Sequence, residues 1–287
     1  MLGYFNKKDV VALFAVLTLC LATGSVFDYQ ISLALFDPAN LFGRTVEAMG
    51  ELPFEIVASV AGVMLVRGTD RARRATWWLA VVGVVLNAVL AGYEVVGALR
   101  NDGLLVPVVA VASILLTVAA NVVVYRLTRE ASRVELLRWA AMAIAACAAQ
   151  LIILNAVIKP IWSRPRMRVI AVTPGLEFQP WWVIGHPGRD SFIAAGVIKD
   201  GFKSFASGHT ANAAAGLMLA ALPARALREN PSRRRTVFWA AAAVAAAVAL
   251  GRIIAGAHFL SDVTCGFAIM FALECIASRI AYPAGVQ

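Results

Sequence analysis

The sequence predicts an all-α fold, a polytopic transmembrane helix bundle of about eight spans, and three observations carry that prediction. Of 287 residues, 61% are hydrophobic and 15% charged, against about 45–50% apolar and about 25% charged in soluble domains. Eight stretches approach the roughly 20 apolar residues that a helix needs to cross a bilayer. They run at about 9–27, 53–67, 76–98, 104–126, 138–158, 209–226, 236–252 and 258–279. These stretches are apolar on both faces, without the alternation over about ten residues that marks a lipid-facing strand.

The first span follows Lys7-Lys8 and closes near Ala22-Thr23-Gly24. Its apolar run is longer than that of a cleaved signal and reads as an anchored helix. Residues 28–52 form an outer connection. Within it Ile31–Phe36 reads as a helix lying in the interface, ended by Asp37-Pro38. Glu47, Glu51 and Glu55 approach the mouth of the second span, either as solvated acids or as the rim of a site. The basic loop Arg67–Arg74 is followed by Trp77 and Trp78, placed for an interfacial aromatic belt. Arg100–Gly103 is a turn between the third and fourth spans. Asn87, Glu94, Asn121 and Asn155 lie in or near spans and read as structural hydrogen-bonding groups. The polar segment 159–208 carries Pro160, Pro165, Pro174, Pro180 and Pro187 around Trp181-Trp182. It is expected to cap the bundle and dip into the interface, with His186 solvated.

The net charge of +9 is explained by loop asymmetry. With the N-terminus in the cytoplasm, eight spans place 16 of the 26 Lys and Arg residues inside and ten outside. That bias puts both termini in the cytoplasm and the polar segment outside. A nucleic-acid partner would need a basic face with aromatic platforms, and the chain has none. Cys20, Cys147, Cys265 and Cys275 all fall inside predicted helices, without metal-site spacing, and read as buried free thiols. Internal repeats, low-complexity segments and phosphate-binding glycine loops are absent.

Three polar clusters interrupt the apolar chain. In the third, His258 and Asp262 are four residues apart and share a helix face. Asp262 is expected to hold one imidazole nitrogen and leave the other as a nucleophile or base. Arg252, six residues earlier, closes the preceding span and can fold back over the histidine. In the second cluster, Ser207-Gly208-His209 precedes an apolar helix. Ser207 can cap it, the free amides favour an anion, and His209 stands beside that anion. The first cluster supplies Lys159 and Arg166, with Arg164 and Arg168. Arginine grips phosphate oxygens with a fork and lysine acts as a point charge.

On these residues the chain resembles the type 2 phosphatidic acid phosphatase (PAP2) superfamily, which shares its active site with vanadium haloperoxidases. The family pattern is K-x6-RP, then PSGH, then SR-x5-H-x3-D. Lys159, Arg166, Ser207, Gly208, His209, Arg252, His258 and Asp262 occupy its polar positions. Met167 and Ala206 replace prolines, and Gly251 replaces the serine. The resemblance covers about residues 138–280, including the outer loop 159–208. It implies a six-helix catalytic core and makes residues 1–137, with about four spans, the N-terminal helices, two of them additions to that core.

The resemblance implies a metal-independent phosphatase with no cofactor, acting on a lipid phosphate or diphosphate at the extracytoplasmic face of the cell membrane. His258 would attack phosphorus and form a phosphohistidine, positioned by Asp262. His209 would protonate the leaving oxygen and then activate water. Lys159, Arg166, Arg252 and the backbone near Ser207 and Gly208 would hold the phosphate oxygens. The partners implied are the lipid substrate and the bilayer, and no oligomeric state follows. Two alternatives stand beside it: a transporter or lipid-flipping protein with a phosphate-binding site, and a vanadate-dependent haloperoxidase.

Overall fold

The computed structural model describes residues 5–69, 78 and 105–282, and every regular element among them is helical. Among the described residues, six helices are long and apolar enough to cross a membrane. The expected third span, 76–98, lies outside the described residues apart from Trp78, as do Asn87, Glu94 and the turn Arg100–Gly103.

Helix α1 runs Lys7–Leu35. It starts where the Asn6 side chain accepts from the Lys8 amide at 2.9 Å and continues past the expected stop near Gly24. Residues 28–35 are therefore the end of α1 and not a separate interfacial helix. Asp28 and Ser32 are buried within it, and Asp28 has partners elsewhere in the fold. A short helix, α2 (Leu41–Met49), is capped by Asn40 and leads into α3 (Leu52–Gly68), which has a proline in its first turn. Helix α4 covers Leu105–Leu127. Helix α5 (Arg133–Leu151) begins at a reciprocal cap between Ser132 and Glu135 and is extended by a π-helical stretch, Ile152–Ile158.

The expected span at 209–226 is a shorter buried rod. Helix α6 (Gly208–Ala214) passes into a 3-10 stretch, Ala215–Ala221, and the two together are about 24 Å long. Ala211, Ala213, Ala214, Ala215, Leu217 and Met218 are fully buried. Small side chains let neighbouring helices approach closely, and the rod packs against α3 and α5 and against two later helices, α7 (Pro231–Ile254) and α8 (Leu260–Ala281). The buried Trp139 of α5 donates to the Met218 carbonyl at 3.1 Å.

Helices α1, α3, α5, α6, α7 and α8 alternate in direction, and α4 runs the same way as α3. At one end, Asp9 near the start of α1 accepts from Arg235 and Trp239 near the start of α7, at 2.9 and 3.1 Å. At that same end Arg67, closing α3, donates to Thr128 after α4. The C-terminal ends of α5 and α7 and the N-terminal ends of α3 and α6 meet at the opposite end, where they line a common cavity with His258, which just precedes α8. Asp28, in the last third of α1, reaches the start of α8 there. Val11, Leu19 and Val26 on α1 and Leu115 and Val118 on α4 are exposed. Aliphatic surface on this scale belongs in lipid.

Asn121 donates to Ser59 at 2.9 Å and joins α4 to α3, a structural role as expected. His186 is not simply solvated. It is half-buried and meets Phe202 edge-on, with ring centroids 5.3 Å apart, in a small core of the 159–208 segment with Val169 and Leu176. That segment exposes Val172, Trp182, Ile184 and Ile198. The four cysteines are free thiols.

Candidate active site

A cavity of about 590 Å3 opens where these helix ends meet, and Lys159, Arg166, Gly208, His209, Arg252 and His258 all line it. They come from three separate stretches of chain, so the fold assembles what the sequence spreads over 100 residues.

Lys159 follows the π-helical stretch, where one extra residue per turn re-aims the side chains beyond it. Its ammonium donates to Asn155 Oδ1 at 3.0 Å. A Cβ at position 208 would lie 3.0 Å from Lys159 Nζ, so Gly208 is where the lysine closes on the backbone of the second cluster. Arg166 is buried. Its amide donates to the Gly201 carbonyl at 2.8 Å and its Nη2 pairs with Asp200 at 3.0 Å. Arg252 is 1% exposed. Among the described residues neither Arg166 Nε nor Arg252 Nε has a hydrogen-bond partner. Buried guanidinium donors left open in a cavity call for an anion that accepts from them.

Asp262 lies in the first turn of α8, but His258 lies in the connection before it, so the two do not share a helix face as expected, and their link is indirect. His258 Nδ1 lies 2.6 Å from the Ser204 carbonyl oxygen and 3.9 Å from Asp262 Oδ2. The carbonyl can only accept, so the proton sits on Nδ1 and Nε2 carries the lone pair. Asp262 accepts from Ser204 Oγ at 2.6 Å and from the Phe259 amide at 2.8 Å. It thus fixes both the loop that holds His258 and the residue whose carbonyl orients the ring. Two amides, those of Ala257 and His258, also donate to the Arg252 carbonyl, tying the histidine to the end of α7.

Ser207 caps α6, accepting from the Thr210 amide at 3.4 Å, and its own amide donates to the Asp262 carbonyl at 3.0 Å. Gly266 on α8 makes this docking possible. A Cβ there would sit 2.2 Å from the Ser207 carbonyl oxygen. Gly266→Ala is expected to destabilise the protein by about 1–3 kcal/mol. A melting temperature in detergent unchanged from wild type would show that the loop yields instead.

The first cluster divides by role. Arg168 lines the cavity and pairs with Glu47 at 3.0 Å. Arg164 does not line it. It is fully buried behind the site and donates to Asp262 at 2.5 Å, to Ser261 and Asp28 at 2.9 Å, and to the Gln179 carbonyl at 2.7 Å. The outer acids also resolve. Glu47, Glu51 and Glu55 all line the cavity. His209 Nε2 lies 3.2 Å from the Glu47 carbonyl oxygen and Nδ1 lies 3.2 Å from the Glu51 carboxylate. Asp28 and Ser204 carried no local signal of their function. Glu274, also unread, is buried in α8 with neither carboxylate oxygen hydrogen-bonded among the described residues.

Burial, followed by the charges of Arg166, Arg252 and Lys159, holds His258 well below the ordinary histidine range. Burial and Arg252 act the same way on His209, opposed by its contact with the Glu47 carbonyl. Both imidazoles are therefore neutral at neutral pH.

No curated protein and no solved structure matches the chain. Residues 138–285, more than half of it, match the PAP2 superfamily, and they contain every cation and both histidines gathered here. The chain is a multi-pass membrane member of the PAP2 superfamily.

Proposed function

We propose that the protein is an integral-membrane, metal-independent phosphatase that hydrolyses a lipid phosphate or diphosphate through a phosphohistidine. The observation that carries this reading is the single cavity in which Lys159, Arg166 and Arg252 surround His258 and His209.

His258 Nε2 attacks phosphorus as the bond to the lipid oxygen breaks, and His209 delivers a proton to that oxygen. Water then attacks the phosphohistidine, His209 takes a proton from it, and inorganic phosphate leaves. The three cations and the backbone around Ser207 and Gly208 hold the equatorial oxygens, where preorganised charge stabilises the transition state. The substrate dianion also lifts His209 toward the protonated form that the first step needs. Asp262 positions His258 through Ser204. The loop-charge bias, with the start of α1 at the end of the bundle away from the cavity, favours cytoplasmic termini and an extracytoplasmic site.

Phosphate release by the purified protein in detergent, on a panel of lipid phosphates with excess EDTA, tests this. Release that survives EDTA and is inhibited by vanadate is expected. Release abolished by EDTA would remove the mechanism, and a need for vanadate would mark the haloperoxidase chemistry. No release from any lipid by folded protein would shift weight to transport.

A further inference from the structure

Helix α2 lies outside the stretch that matches the family, residues 138–285, yet it forms one wall of the cavity. It is fastened to the end of α7 at several points. The Asp37 amide donates to the Ile254 carbonyl at 2.9 Å. A Cβ at Gly43 would lie 3.4 Å from the Gly251 carbonyl oxygen and from the Ala255 amide nitrogen. Most tellingly, a Cβ at Gly251 would lie 2.7 Å from Val46 Cβ. Position 251 is where the family pattern has serine. Here the glycine leaves the space that Val46 fills, so this departure from the motif and the seating of α2 are one feature.

What α2 brings to the cavity is a carboxylate. Glu47 Oε1 lies 3.1 Å from Arg252 Nη1 and 3.0 Å from Arg168 Nη1. It therefore sits on the outer edge of one phosphate-site cation and on the next cation outward. That is where a second phosphoryl group would find its donors if the first lay among Lys159, Arg166 and Arg252. Glu51, Glu55 and Asp200 also line the cavity. Its four carboxylates formally cancel the charges of Lys159, Arg166, Arg168 and Arg252. A phosphate monoester brings about two negative charges, and a diphosphate brings more along with oxygens that need their own donors.

We propose that Glu47, delivered by α2, is a specificity-determining residue that closes Arg168 and the outer edge of Arg252 to a second phosphoryl group, so that the site takes phosphate monoesters and rejects diphosphates. This rests on the phosphatase reading above and narrows its substrate class.

The test is kcat/KM for a prenyl monophosphate and the prenyl diphosphate of the same chain, in detergent with EDTA. Wild-type protein is expected to favour the monophosphate by about tenfold or more, a factor equivalent to about 1.4 kcal/mol. Glu47→Gln is expected to erase most of that preference, chiefly by lowering KM for the diphosphate. Adding Arg168→Gln should remove the gain, because Arg168 is the cation set free. A merely structural role for Glu47 would lower both substrates together and leave their ratio unmoved, and that result overturns the proposal. Inhibition of the wild-type protein supplies a measurement that needs no variant. Inorganic phosphate should inhibit at least as strongly as pyrophosphate, and pyrophosphate binding about tenfold tighter would overturn the proposal. Equal turnover of the two esters by wild type sinks this inference alone. No EDTA-resistant release from either ester sinks the phosphatase reading and this one with it.

Discussion

Replacing His258 with alanine is expected to cut phosphate release by about 10^4-fold or more, the scale seen when a covalent nucleophile is removed from a catalytic set. The side chain is 2% exposed and its ring has one structural hydrogen bond, from Nδ1 to the Ser204 carbonyl. The variant is therefore expected to fold, which melting in detergent checks. His209→Ala should cost less, about 10^2- to 10^4-fold, the usual range for a general acid–base group. Its second step should slow, so an acid-labile phosphoryl label should build up on His258. Label that persists in the His258→Ala protein would reassign the nucleophile.

The same histidine sets the acid side of the pH profile. Attack requires neutral imidazole, which is the form present above the pKa. Burial and the three surrounding cations place that pKa below the ordinary value, which is about 6.5. Lowering the pH through 6.5 should thus leave kcat/KM intact once the substrate's own ionisation is divided out. The loss should come only at lower pH. An acid limb at or above 6.5 would mean that His258 is not held neutral by its surroundings.

What could be read from the sequence followed how local each signal is. A span is written in its own apolar run, and α3, α5, α7 and α8 lie close to where those runs put them. The motif spacings likewise put Lys159, Arg166, His209, Arg252 and His258 into one cavity. The pairings between distant segments were not legible. Asp28 and Arg164 are 136 residues apart, and nothing near Asp28 shows that its charge is met. Arg164 and Arg168 are the same residue type in the same cluster. Only packing shows that the first is buried behind the site and the second lies within it. Ser204, 54 residues from His258, supplies a backbone carbonyl, a group every residue has. The link from Asp262 to the ring therefore could not be distinguished from a direct bond. The rod at 208–221 reads as an ordinary span because burial in protein and burial in lipid select the same apolar residues.

Arg164→Ala is expected to be the most destabilising single change, costing about 3–5 kcal/mol, because it leaves buried acids without their cation. Arg164 is 0% exposed. Its guanidinium is shared between Asp28 of α1 at 2.9 Å and Asp262 of α8 at 2.5 Å, and Phe259 stacks under it at 4.3 Å. Ser261 joins the cluster, its amide and hydroxyl both donating to Asp28. The cation therefore ties α1 and the 159–208 segment to the start of α8. Asp28→Asn removes one of the charges and should cost less, about 1–3 kcal/mol. The combination of Arg164→Ala with Asp28→Asn should cost less than the sum of the two, since the second change removes a charge the first has orphaned. Thermal unfolding in detergent reads all three proteins. Additive costs would show that the pair is solvated and not locked in the interior. The folded Arg164→Ala protein should also lose turnover more than substrate affinity. Asp262 would lose the donor on Oδ1, Ser204 would shift with it, and the ring of His258 would lose its aim while Lys159, Arg166 and Arg252 remain to hold the phosphate.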